Sequence, residues 1–112
     1  MNKKIYISGA ITGTDDYMER FDEAQKLLEA KGYAVINPAR INDLLPKNTT
    51  YEQYMSISIT LLDMCSSIYM LKGWEKSIGA NREYGYALGR CKDVLCDAVC
   101  APTWRNLDGT ID

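Results

Sequence analysis

Ser77 and Glu83 stand six residues apart in the segment Gly73-Trp74-Glu75-Lys76-Ser77-Ile78-Gly79-Ala80-Asn81-Arg82-Glu83, a pattern suited to holding a small anionic ligand beside a carboxylate. The apolar run Ile68-Tyr69-Met70-Leu71 before it reads as a buried strand, and Tyr84-Gly85-Tyr86-Ala87-Leu88-Gly89 after it reads as a helix. Ser77 therefore falls at a helix start, with Glu83 nearly two turns inside. A helix mouth presents free amides and the positive end of the helix dipole, so it attracts anions. The chain contains no histidine, which excludes Ser-His and Cys-His nucleophile pairs. Any acid or base must be a carboxylate, Tyr, Cys or Lys.

These residues need a scaffold that brings strand ends and helix mouths together. Residues 4 to 8, Lys-Ile-Tyr-Ile-Ser, read as a first strand, ended by Gly9 and the small loop Ala10 to Thr14. Asp15 or Asp16 can cap a helix that buries Met18, Phe21, Ala24, Leu27, Leu28 and Ala30 and stops at Gly32. Tyr33 to Ile36 forms a second strand closed by Asn37-Pro38, and residues 39 to 50 read as a loop or short irregular helix. Thr50 can cap a helix from Tyr51 to about Cys65, with Tyr54, Ile57, Leu61, Leu62 and Cys65 inward. Ser66 to Leu71 is the third strand, residues 78 to 90 the third helix, and Asp93 to Val99 a fourth strand. This alternation predicts one α/β domain over 1–112: a three-layer, doubly wound parallel sheet of flavodoxin-like type with four to five strands. The tail from about residue 101, with Trp104 and Arg105, has no clear period.

Composition narrows the partners. Thirteen basic and fifteen acidic residues give a net charge of −2, and no basic run exceeds Lys3-Lys4, which disfavours long nucleic acid. No stretch has the apolar length of a membrane span, and the first eight residues are too short and alternating for a signal peptide. A cytoplasmic protein is expected. Cys65, Cys91, Cys96 and Cys100 contain no Cys-x-x-Cys pair, so reduced, mostly buried thiols are expected, with no metal and no redox cofactor. One short domain has little room to enclose a substrate alone, so a homodimer or larger homo-oligomer is expected.

If strands one and three are neighbours, the crevice beyond their carboxyl ends gathers Tyr6, the Gly9 to Thr14 loop, the Gly73 to Ser77 loop and Glu83. A hydroxyl, a turn of amides and a carboxylate suit a small sugar or nucleotide with an anionic end. Each residue also has a plainer reading. A helical glutamate is more often solvated, a strand tyrosine more often core, and a serine at a helix start more often only a cap.

The chain resembles the nucleoside 2-deoxyribosyltransferase superfamily, in particular its small phage and bacterial proteins, whose pattern begins Lys-Ile-Tyr-Ile-Ser-Gly and later reads Gly-Trp-Glu-x-Ser-x-Gly-Ala-x-x-Glu. The matching pieces are Lys4 to Gly9, Thr12-Gly13, Phe21 with Ala24, Gly32-Tyr33, Val35 with Asn37-Pro38, Tyr54-Met55 and Gly73 to Glu83, spanning about residues 3 to 96. The resemblance implies that Glu83 is the nucleophile that attacks the anomeric carbon and that Tyr6 positions it. It also implies that Ser77 holds a 5′-phosphate, as in the related 2′-deoxynucleoside 5′-phosphate N-hydrolases, which favours a nucleotide over a nucleoside. Gly9, Thr12, Gly13, Ser58, Gly79 and Trp74 complete the candidate substrate contacts, with Trp74 as a stacking wall for the base or as a core residue.

The sequence departs from that pattern at Ser58 and Ser66, where relatives carry aspartates. A serine hydroxyl does not supply a proton as a carboxylic acid does, and Asp63 falls about 140° around the helix from Ser58. Loss of general acid assistance costs about 10²–10⁴-fold in rate. Relatives also carry Ser and Arg near Ala10 and Thr12, so a charged phosphate contact is absent there, with Arg82 or Lys76 as the nearest replacements. Three readings follow. One is an enzyme that cleaves or exchanges the N-glycosidic bond of a (deoxy)nucleoside 5′-monophosphate; the alternative is a catalytically weakened nucleotide-binding protein that serves as a sensor or sequesters nucleotide. A structural subunit that uses the fold only for assembly is the third.

Overall fold

Alternation along the strands decides which side chains meet which layer. In the computed structural model, which describes residues 3–11 and 13–96, β1 (Lys4–Ser8) sends Ile5 and Ile7 to one face and Tyr6 and Ser8 to the other. β3 (Ser67–Met70) does the same with Tyr69 against Ile68 and Met70. One core therefore joins Ile5, Ile7 and Tyr69 to Phe21, Ala24 and Leu28, and the other joins Tyr6, Ile68 and Met70 to Leu62, Ala80 and Ala87. With β2 (Ala34–Ile36) and β4 (Asp93–Cys96), the strands run parallel in the order β2-β1-β3-β4. Helices cover both faces, so the fold is the expected doubly wound α/β sandwich, and β1 and β3 are neighbours.

Local chemistry sets the helix ends. α1 (Tyr17–Ala30) closes at Gly32, whose φ of +95° suits a glycine, while the Tyr33 amide donates back to the Leu28 carbonyl. Asp16 stands at the start of α1 but makes no side-chain cap; its carboxylate pairs with Arg20 instead. Leu27 is 45% exposed and Ala30 is exposed, because the inward stripe runs through Phe21, Ala24 and Leu28. α2 (Pro38–Asn42) occupies part of the stretch expected to be irregular. Asn37 caps it by accepting from the Ala39 and Arg40 amides, and Pro38 fits the first helical turn.

α3 (Tyr51–Asp63) begins with a capping box in which Thr50 and Gln53 bond reciprocally. Its buried residues are Met55, Ser58 and Leu62, with Cys65 just beyond; Leu62 and Cys65 are inward as expected, whereas Tyr54, Ile57 and Leu61 are only half-buried. The helix is rotated so that Ser58, and not a larger apolar residue, faces the polar end of the α3/α4 layer. A short 3₁₀ turn (Trp74–Lys76) then leads into α4 (Ile78–Gly89). Among the described cysteines, Cys65 is buried, with its thiol pushed up to about 11 by burial; Cys96 is half-buried and Cys91 exposed, so the thiols are not mostly buried. No helix among the described residues is long and apolar enough to cross a membrane. Thr12, the end of the expected fourth strand, Cys100 and the tail with Trp104 and Arg105 lie outside the described residues.

Candidate active site

Glu83 lies on the inward side of α4 and is only 7% exposed. Because Tyr6 and Ser8 are two residues apart on β1, both hydroxyls point at the same α4 face. Tyr6 Oη donates to Glu83 Oε2 and Ser8 Oγ donates to Oε1, each at 2.6 Å. Ser58, also buried, brings its hydroxyl from α3 to the same cluster and favours the charged forms of Glu83 and Tyr6. Both carboxylate oxygens are thus fixed, and each retains a lone pair for a further contact.

Burial pushes the Glu83 carboxyl above its ordinary range, while hydrogen bonds from Ser8, Tyr6 and Ser58 pull it back. No cation forms a salt bridge with it among the described residues. Tyr6 is held well above the ordinary tyrosine range, first by burial and then by the neighbouring Glu83 charge. It consequently keeps its proton and acts as a donor. The result is a desolvated carboxylate of fixed orientation, suited to attacking an electrophilic carbon or stabilising a positive charge.

This carboxylate opens into a cleft of about 1170 Å³ at the carboxyl ends of the strands, large enough for a nucleotide. Gly9 forms part of its floor where the chain leaves β1. A Cβ there would lie 2.8 Å from Leu71 Cδ1 and 2.9 Å from Leu71 Cβ, so glycine is required for β1 and β3 to approach. Gly13, with φ of +82°, turns the following loop along the cleft wall. On the opposite wall Ser77 caps α4 by accepting from the Ala80 amide at 3.1 Å, which leaves its own proton available to donate. Gly79 also lines this wall, where a Cβ would make only ordinary contacts with Met55 Sδ and Tyr51 Oη at 3.5 Å.

The structure thus brings Tyr6, Glu83, Ser58, Gly9, Gly13, Ser77 and Gly79 to one cleft. It does not bring Trp74 there. That indole is 5% exposed and packs against Tyr84 with ring centroids 4.7 Å apart, inside the α3/α4 core. The left-handed Gly73, at φ +85°, turns the chain so that Trp74 points inward rather than into the cleft. Ser66 is exposed next to the amino end of β3, bonded to the Lys4 carbonyl, so only Ser58 of the two serines belongs to the site. Arg82 is held by Glu52 and lies over the Tyr51 ring, whereas Lys76 does line the cleft, as do Lys72 and Lys47. Asp63 bonds the Tyr86 hydroxyl and Arg90 and is not part of the cleft lining.

Sequence reasoning missed Ser8 as the second donor to Glu83. The signal was available, because a strand places residues i and i+2 on one face. It also missed the ring of Tyr17, Tyr51 and Tyr54 along the walls, whose side chains are partly exposed and follow no single period.

A family model described as a domain of unknown function, DUF4406, matches residues 3–100, nearly the whole chain. No curated protein matches the chain.

Proposed function

We propose a function for this chain, which belongs to the DUF4406 family: it cleaves the N-glycosidic bond of a deoxynucleoside 5′-monophosphate, with Glu83 as nucleophile. The observation that carries this reading is the Glu83 carboxylate itself, buried, unpaired by any cation among the described residues, and oriented by Tyr6 and Ser8 at the base of a nucleotide-sized cleft. The reading accords with the resemblance to the 2-deoxyribosyltransferase superfamily.

In this mechanism Glu83 attacks the anomeric carbon from the face opposite the base. The C–N bond breaks through an oxocarbenium-like state, its electrons pass to the departing base, and a glycosyl ester forms on Glu83. Water then attacks the anomeric carbon and releases the sugar phosphate; a second base in place of water gives exchange. Tyr6 and Ser8 hold the carboxylate in line and disperse its charge. The Ser77 hydroxyl and the mouth of α4 receive the phosphate, with Lys76 and Lys72 at the same cleft supplying positive charge.

A second reading, a nucleotide-binding protein with weak turnover, is favoured by Ser58. Its hydroxyl lies at the Glu83–Tyr6 cluster and supplies no strong acid for the leaving base. A cytoplasmic homodimer or larger assembly accompanies either reading. Ile78, 76% exposed, and Tyr51, 47% exposed, both at the cleft, support the assembly, since large exposed apolar side chains gain by burial against another surface. Chromatography of free base released from a panel of deoxynucleoside and ribonucleoside 5′-monophosphates tests the enzyme reading. Base release from at least one deoxynucleotide is expected. Nucleotide binding without release from any of them would leave the second reading.

A further inference from the structure

The two oxygens of Glu83 have different surroundings. Oε1 accepts from Ser8, which is 1% exposed, belongs to the central strand and does not line the cleft. Oε2 accepts from Tyr6, whose side chain lines the cleft together with Ser58. One oxygen is therefore turned to the sheet and covered, and the other stands on the open side. Only an oxygen on the open side can reach an anomeric carbon.

We infer that Oε2 is the attacking oxygen and that Ser8, which stays on Oε1, governs release of the sugar from the glycosyl ester. This rests on the N-glycosidase reading above. In the first step a lone pair of Oε2 bonds to the anomeric carbon, the C–N pair leaves with the base, and the base takes a proton from solvent. Oε1 becomes the ester carbonyl oxygen, still facing the Ser8 hydroxyl. In the second step water attacks the anomeric carbon and gives up a proton, while the C–Oε2 pair returns to Glu83.

Negative charge then spreads back onto Oε1. A hydrogen bond to an ionised acceptor is roughly twice as strong as one to a neutral acceptor, so the Ser8 bond strengthens as the ester breaks. The donor already stands in place, which spares the site any rearrangement at that moment. Tyr6 differs, because an oxygen bonded to carbon in an ester accepts poorly. Tyr6 thus serves mainly to orient Oε2 before attack, and Ser8 to help Glu83 leave.

The test compares the full chain with Ser8→Ala on the pH plateau of base release. Ester is formed with 2-deoxy-2-fluoro nucleoside 5′-monophosphates, excess nucleotide is removed, and decay of the adduct is timed by intact-protein mass spectrometry. Ester decay is expected to slow about 10-fold in Ser8→Ala. With deoxynucleoside 5′-monophosphates kcat/KM, which reports only the steps up to base release, stays within about 2-fold of the parent. Ser8→Cys, close to serine in size and a weak donor, decays at an intermediate rate and serves if alanine does not fold. Reduced kcat/KM with unchanged ester decay would place Ser8 in the attack and overturn the inference, as would equal losses in both or no change in either. Each of those results would leave the nucleotide reading standing. A parent protein that releases no base and forms no ester would overturn both.

Discussion

Tyr6 and Glu83, 77 positions apart in sequence, are joined by a 2.6 Å hydrogen bond in which the phenol donates to the carboxylate. The bond links the central strand β1 to helix α4, and Ser8 makes a second link of equal length. A carboxylate on a solvated helix face would rotate freely; here two strand hydroxyls fix both of its oxygens.

Tyr6→Phe removes one of those donors and keeps the ring. Hydrogen bonds to charged groups are worth about 1.5–3 kcal/mol, so kcat/KM is expected to fall about 10- to 100-fold. Steady-state kinetics of base release check this. The acid limb of the pH profile also moves upward, because a hydrogen bond that favours the charged form of Glu83 is lost.

Stability and activity respond to pH in opposite directions at Glu83. Its folded-state value is raised above the ordinary 4.5, chiefly by burial, so the folded protein holds this proton more tightly than the unfolded chain. The associated stability is fully present below the ordinary value and is lost as pH rises through the raised one. Glu83→Gln, which stays neutral, is therefore expected to be more stable than the parent protein above that window and to lose the advantage below it. Urea unfolding across the pH range measures this difference. Activity runs the other way, since the nucleophile must be ionised: kcat/KM falls as pH drops through the raised value.

Ser77 is expected to serve both the fold and the ligand, and one substitution separates the two. Aspartate is as good a helix cap as serine, so Ser77→Asp retains stability, whereas Ser77→Ala loses about 1 kcal/mol. The new carboxylate faces the phosphate position and repels it. Calorimetry with a deoxynucleoside and its 5′-monophosphate should show the monophosphate losing affinity and the nucleoside unchanged.

The sheet order was legible because Lys4–Ser8 and Ser67–Met70 are apolar runs with helical patterns between them, which leaves few topologies open. α2 was harder to read, although Asn37-Pro38 carries the cap and first-turn signals of a helix start. The chain there looks like the end of a strand until its five helical residues are seen. Periodicity placed Leu62 and Cys65 inward correctly but misjudged the turns before them, because Ser58 is polar yet buried beside Glu83 and Tyr6. The polar cluster overrode the hydrophobic pattern at that position. Trp74 could be read either as a stacking wall or as a core residue, because its place beside the site in sequence says nothing of the left-handed turn at Gly73 that sends it into the core.

In the proposed mechanism Glu83 forms a covalent bond to the sugar. Intact-protein and peptide mass spectrometry of the chain, incubated with 2-deoxy-2-fluoro nucleoside 5′-monophosphates, tests it directly, because fluorine destabilises the oxocarbenium-like states and lets the ester accumulate. An added fluorinated sugar phosphate is expected on the peptide containing Glu83, absent in Glu83→Ala. Base release that persists in Glu83→Ala, or an adduct on another residue, would contradict it.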